Sequence, residues 1–141
     1  MSEENKALVR RFIEEAFNQG NLDVIDETNS SEWVHRDPAM PEEGHGLEAA
    51  RQFVQMYRSA FPDTHITIED QVAEGDKVVT RWRAQGTHEG ELMGISPTGN
   101  RVEITGITID RIEGGKTVET WDHYDALGMM QQLGVMEQPS E

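Results

Sequence analysis

The hydrophobic periodicity of this chain switches near Phe61-Pro62, from helical to twofold. Before that point Leu8, Val9, Phe12, Ile13, Ala16 and Phe17 recur at three- and four-residue spacing, which predicts an amphipathic helix from Glu3 to Gln19 stopped by Gly20. A short helix is expected from Leu22 to Thr28, then an extended stretch from Glu32 to Arg36 that ends at Asp37-Pro38. A Gly- and Pro-containing loop, Ala39 to Gly46, leads into a third helix with Leu47, Ala50, Phe53, Val54 and Tyr57 on one face. After it, residues 64–73, 77–88, 101–112 and 117–124 are β-rich and separated by turn residues, so they read as four strands in meander order. Residues 125–133 return to helical spacing and stop at Gly134, leaving 135–141 as a loose tail. Helices first and strands second make a single α+β domain over 1–141: a cone-shaped, curved antiparallel sheet wrapped by N-terminal helices. Such a sheet encloses an interior pocket suited to a small apolar molecule.

Composition narrows the partner. The 27 acidic residues against 12 basic ones give a formal charge of -15, which argues against nucleic acid and against an anionic membrane surface. With no cysteine, there is neither a disulfide nor a thiolate site. The acidic N-terminus lacks a signal-peptide pattern and no apolar run is long enough to span a bilayer, so a cytoplasmic location is expected. Lysine is scarce beside arginine, a balance that fits either a halophilic source or plain solubility. His35, His45, His65, His88 and His123 show no metal-binding pairing, and no nucleophile elbow, phosphate loop or dinucleotide fingerprint occurs. Neither a metal nor an organic cofactor is expected.

Two stretches, GTHEGELMGISPTGNRVEI (86–104) and DRIEGGKTVETWDHYDALGMMQQLG (110–134), resemble the SnoaL-like polyketide cyclases, or ester cyclases, of the nuclear-transport-factor-2-like superfamily. FNQGNLDVIDE, WVHRDP and SAFPD extend the resemblance through the N-terminal half, to about residues 5–135. The resemblance implies a conical α+β barrel, often a homodimer through the outer sheet face, and a cofactor-independent intramolecular aldol reaction run by one pocket aspartate as acid and base. Asp122 matches that aspartate, His35 a histidine after the second helix, and His88 the histidine of the Gly-Thr-His turn. The strand GITIDRI carries no histidine, where the cyclases are expected to have one.

Alternation places Val118, Thr120, Asp122 and Tyr124 on one face of the last strand and Thr117, Glu119, Trp121 and His123 on the other. If Val118 faces inward, so does Asp122; the alternative is one more solvent-facing acid. His35 suits either a substrate carbonyl or a loop anchor through Asp37, and His88 either substrate or its own turn. Trp82, Tyr57 and Tyr124 suit the wall of a binding cavity or plain core. The expected catalytic pair is therefore Asp122 and His35, with His88, Trp82, Tyr124 and Tyr57 around the substrate. Trp121 on the outer face argues for a homodimer. The functional expectation is a cyclase or isomerase that removes a proton beside a carbonyl. A carrier of an apolar metabolite and a water-activating epoxide hydrolase on the same fold are the alternatives.

Overall fold

In the computed structural model, which describes residues 2–135, the change of periodicity is the point where helices give way to the meander. The helices are α1 (Ser2–Arg11), α2 (Asp23–Thr28), α3 (Gly46–Ala60) and α4 (Ala126–Leu133). The strands are β1 (Asn29–Arg36), β2 (Gly44–His45), β3 (His65–Glu74), β4 (Lys77–Thr87), β5 (Arg101–Glu113) and β6 (Lys116–Tyr124). All six form one curved, unclosed sheet in the order β2-β1-β6-β5-β4-β3. The expected meander is β3 to β6. To its open side β1 adds in parallel, with His35 beside Thr120 and Arg36 beside Trp121. None of the helices of the described residues is long and apolar enough to cross a membrane. Of the tail expected to be loose, 136–141 lies outside the described residues.

Three local differences from the expected pattern all bear on the interior. The first helix does not run unbroken to Gln19: after α1 it widens into a π-helical segment, Phe12–Asn18. Its apolar residues come as adjacent pairs, Phe12-Ile13 and Ala16-Phe17, and Phe12, Ile13 and Phe17 all line the interior cavity. π segments of this kind are often found at functional sites. Next, β1 begins at Asn29 rather than Glu32, and the loop after it contains the short strand β2, paired with β1 through Val34 and His45. Last, the register of β5 against β6 shifts between Arg111 and Ile112. The irregularity inserts an extra residue, so Thr117 lines the cavity together with Thr120, Asp122 and Tyr124, and Val118 does not. The inward prediction for Asp122 was correct, but the residue used to infer it faces elsewhere.

The core follows from this topology. Phe17, Ile25, Trp33, Ala50 and Val54 are packed together where α3 crosses β1. Ala60, Phe61, Leu92, Met129 and Leu133 fill the far end beneath α4. Asp125 caps α4 by accepting from the Gly128 N–H at 2.9 Å, and Gly134 ends it in the left-handed conformation at φ 81°. On the outer face Trp121 is not the bare aromatic expected: the Arg36 guanidinium lies 5.8 Å from its ring centroid. Ile107, at 46%, and Val72 on β3, at 56%, are instead exposed apolar residues there.

Candidate active site

The concave side of the sheet, the π segment and α3 enclose a cavity of about 950 Å³, open solvent at its mouth included. Its walls are largely aromatic, with Phe12, Phe17, Trp33, Phe53, Tyr57 and Trp82 among them. The charged groups that line it are Asp37, Asp110 and Asp122, and no lysine or arginine of the described residues does so. An anion would meet three carboxyl groups and no counter-charge. The cavity is suited to a neutral molecule.

Asp122 projects from β6 into this space and is 9% exposed. Both its oxygens are held. Oδ2 lies 2.6 Å from Nε2 of His35, and Oδ1 accepts a hydrogen bond from the Thr108 hydroxyl on β5. The hydroxyl is itself oriented, because the Trp82 indole N–H donates to Thr108 Oγ1 at 2.8 Å and leaves the Thr108 proton for Asp122. His35 is fixed by stacking on Trp33, centroids 5.1 Å apart, and by the edge of Phe53 at 4.4 Å. It is buried and does not itself line the cavity, so it lies behind Asp122.

The same relay occurs a second time, one step along the strands. The Trp33 indole N–H donates to Thr120 Oγ1 at 2.9 Å, and Thr120 donates to Asp110 Oδ1 at 2.6 Å. The β5–β6 register makes this geometry: Thr108 pairs with Asp122, and Asp110 pairs with Thr120. Asp110 has no histidine on its other oxygen. Burial therefore dominates, raising its pKa to about 7, with the Asp122 charge adding to the shift and the Thr120 hydrogen bond opposing it.

A carboxyl whose pKa is higher folded than unfolded keeps its proton longer in the native state, so its contribution to stability declines as pH rises. For Asp110 that decline is expected between its ordinary value of 3.8 and about 7. Asp110→Asn should remove it, and thermal melts of the two proteins across that range should diverge progressively in the variant's favour. Parallel melting curves would contradict the burial of a protonated Asp110.

Asp37 sits at the more open end. It is half-buried, lines the cavity, and its pKa is raised by burial although the Ala39 N–H at 2.8 Å opposes the shift. One ligand atom each from His35, Asp37 and Asp122 fall within 4.8 Å of one another. Within this set Nε2 of His35 is engaged by Asp122 at 2.6 Å, while the Asp37 carboxylate accepts from the Ala39 N–H. Beside it the Tyr57 and Tyr124 hydroxyls are 3.4 Å apart, and burial raises the pKa of both. Both therefore remain hydrogen-bond donors across the neutral range.

Of the residues predicted from sequence, Asp122, Trp82, Tyr57 and Tyr124 line one cavity, and His35 supports it from behind. His88 does not belong to it. Its Nδ1 accepts from the Thr98 N–H at 3.2 Å, its ring rests near Phe61, and it closes the 88–100 loop through backbone pairing with Asn100 and Gly99. A turn-anchoring role explains its burial. Sequence reasoning missed Asp37, Thr108, Asp110, Thr120 and Trp33. A signal for three of the five, Thr108, Asp110 and Thr120, was present: Thr108-Ile-Asp110 and Thr120-Trp-Asp122 are two Thr-x-Asp triplets on adjacent strands.

The model of the SnoaL-like polyketide cyclase family matches residues 7–133. The chain belongs to the SnoaL-like polyketide cyclases. Among its relatives, aklanonic acid methyl ester cyclase DnrD of Streptomyces peucetius is 33% identical over 134 residues, covering 90% of this chain and 88% of that one. Nogalonic acid methyl ester cyclase of Streptomyces nogalater is 33% identical over 125 residues, covering 84% and 90%. The structure of TsrD from Streptomyces laurentii superposes with a TM-score of 0.85 at 32% identity, covering 95% of this chain and 97% of that one. Family membership makes this an enzyme of the cyclase type. The strand position opposite Asp122, on the strand expected in this family to carry a histidine, is Thr108 here.

Proposed function

We propose that this protein closes a ring in a neutral, polyketide-like carbonyl ester by intramolecular aldol addition, with Asp122 as the general acid–base. The observation that carries this reading is the cavity-facing Asp122 carboxylate, fixed by His35 on one oxygen and Thr108 on the other. In the reaction the carboxylate accepts a proton from the carbon beside a substrate carbonyl. The resulting enolate carbon forms the new C–C bond at a second carbonyl of the same molecule, and the alkoxide so produced takes the proton back from Asp122. The product is an isomer of the substrate, so no co-reactant is consumed. Tyr57 and Tyr124 are placed to donate to a carbonyl oxygen at the cavity's open end. An ester suits a lining whose charged groups are all carboxyls better than the corresponding free acid does, and both Streptomyces relatives are named for methyl esters.

The test is incubation of the purified protein with aklanonic acid and nogalonic acid methyl esters, followed by chromatography and mass measurement. The expected result is a new species of unchanged mass that forms in proportion to enzyme. Recovery of bound but unaltered ester would support carriage instead.

The same reading includes a homodimer through the outer sheet face, where Ile107 is exposed beside His123 and Arg81 in the strand registers. Light scattering at micromolar concentration is expected to give twice the chain mass, and Ile107→Glu to halve it by placing a charge at the centre of the contact. A single-chain mass for the unaltered protein would reject the dimer.

A further inference from the structure

The cavity is polar at both ends. Asp37, Tyr57 and Tyr124 occupy the open end. At the closed end stand Asn29, Asp110 and Thr117, which are 3%, 7% and 5% exposed. The register holds them together: Asn29 pairs with Thr117 across β1 and β6, and Asp110 with Thr120 across β5 and β6.

Each of the three has spare hydrogen-bonding capacity. Asn29 Oδ1 accepts from the Thr28 hydroxyl at 2.8 Å, but no described residue accepts from its Nδ2. Asp110 Oδ1 accepts from Thr120, but Oδ2 has no protein partner among the described residues, and neither does the Thr117 hydroxyl. These atoms are not sealed into the core. The one fully enclosed side-chain polar atom without a partner among the described residues is His88 Nε2, so the free atoms of Asn29, Asp110 and Thr117 open onto the cavity that all three residues line. Polar groups that survive so deep in an aromatic cavity without a protein partner are matched to a ligand atom.

We propose that Asn29, Asp110 and Thr117 form a second recognition site, which holds a carbonyl oxygen of a ketone or quinone on the part of the substrate remote from the carbon that Asp122 deprotonates. This rests on the cyclase reading above and extends it to substrate choice. The donors decide the chemistry. Asn29 offers an amide N–H and Thr117 a hydroxyl. Asp110, with Oδ1 committed as an acceptor, carries its proton on Oδ2. All three then present hydrogen to an acceptor oxygen, and a ligand hydroxyl, which must donate, fits less well. Asp110 and Asp122 are diagonal neighbours on adjacent strands, a backbone separation of roughly 7–8 Å. The recognised oxygen and the reacting carbon therefore belong to separate groups of one substrate. The titratable groups that face Asp110 are Asp122 from β6 and His35 from β1, while β4 presents Val78 and α1 with the π segment presents Val9 and Ile13.

The experiment uses the full chain with 1-tetralone and tetralin, a ketone and its hydrocarbon counterpart, read by quenching of the cavity-lining Trp33 and Trp82. Tetralone is expected to bind about tenfold tighter than tetralin at pH 5, the order of one or two well-made hydrogen bonds. The preference should fall as pH rises through neutrality. Asp110→Leu should abolish it. Asp110→Asn, which keeps the shape and an N–H donor, should retain the preference and lose its pH dependence; because Asp122 and His35 remain in that variant, the lost titration is assigned to Asp110. A preference that persists in Asp110→Leu, or identical pH profiles for Asp110→Asn and the unaltered protein, overturns the proposal. If Asp110→Leu does not fold, the profile of Asp110→Asn decides alone. Either result is independent of the ring-closure assay, whose failure would count against the cyclase reading and not against this site.

Discussion

Asp122→Asn should leave a folded protein whose ring-closing turnover falls by about 10²- to 10⁴-fold, the range of a lost general base. The substitution changes little else. Shape and volume are kept, the amide oxygen can still accept from Thr108, and the amide nitrogen can still face His35 Nε2 if the imidazole presents its lone pair. What disappears is the oxygen proposed to take a proton from carbon. Ligand binding should therefore be retained, and the melting temperature should hold or rise, because an amide is cheaper to bury than a carboxylate. Turnover by the Asn variant within a few-fold of the unaltered enzyme would reject Asp122 as the base.

The second large effect comes from a residue with no side chain. Gly106 faces Trp82 in the β4–β5 register, and a Cβ there would lie 2.3 Å from the indole ring, with two further ring atoms at 2.7 and 2.8 Å. The ring is rigid and cannot fold away. Gly106→Ala must therefore displace the indole, at a cost of about 1–3 kcal/mol typical of overpacking. The displaced N–H then leaves Thr108 Oγ1, and the hydroxyl that fixes Asp122 is free to turn. A lower melting temperature together with about a tenfold loss of turnover is expected, from a methyl group that does not touch substrate. Melting and kinetics unaffected by the substitution would show that Trp82 does not position Asp122 through Thr108.

The fold was largely legible because its main signals are periodic. The meander, α3 and the last helix declared themselves through apolar spacing and through Gly75, Gly114 and Gly134 at their ends. The π segment was not legible. A π turn departs from the helical repeat by one residue, which short-window spacing cannot distinguish from an ordinary amphipathic helix. The shift at Arg111/Ile112 was likewise hidden, since strict alternation assumes that neither strand carries an extra residue. The site was legible where the family resemblance singled a residue out, as with Asp122, which matches the pocket aspartate; alternation alone left it open to either face. It was not legible at Asp110, one acid among 27, whose significance appears only when its Thr-x-Asp triplet is laid antiparallel to the one around Asp122. His88 misled for a related reason. A histidine between two glycines looks the same in sequence whether it anchors the turn or faces a ligand.

The parallel pairing of β1 with β6 also decides when this chain becomes an enzyme. His35 and Asp122 are 87 positions apart, as are Trp33 and Thr120. The meander β3 to β6 can form by closures between consecutive strands, whereas docking β1 on β6 closes the longest loop of any strand pairing and bears the largest entropic penalty among them. A nascent chain reaches its reactive geometry only after β6 has been synthesised and the first strand has returned to it. The assembled cavity, with Asp122 held on both oxygens, is thus withheld from every partly made or partly opened form.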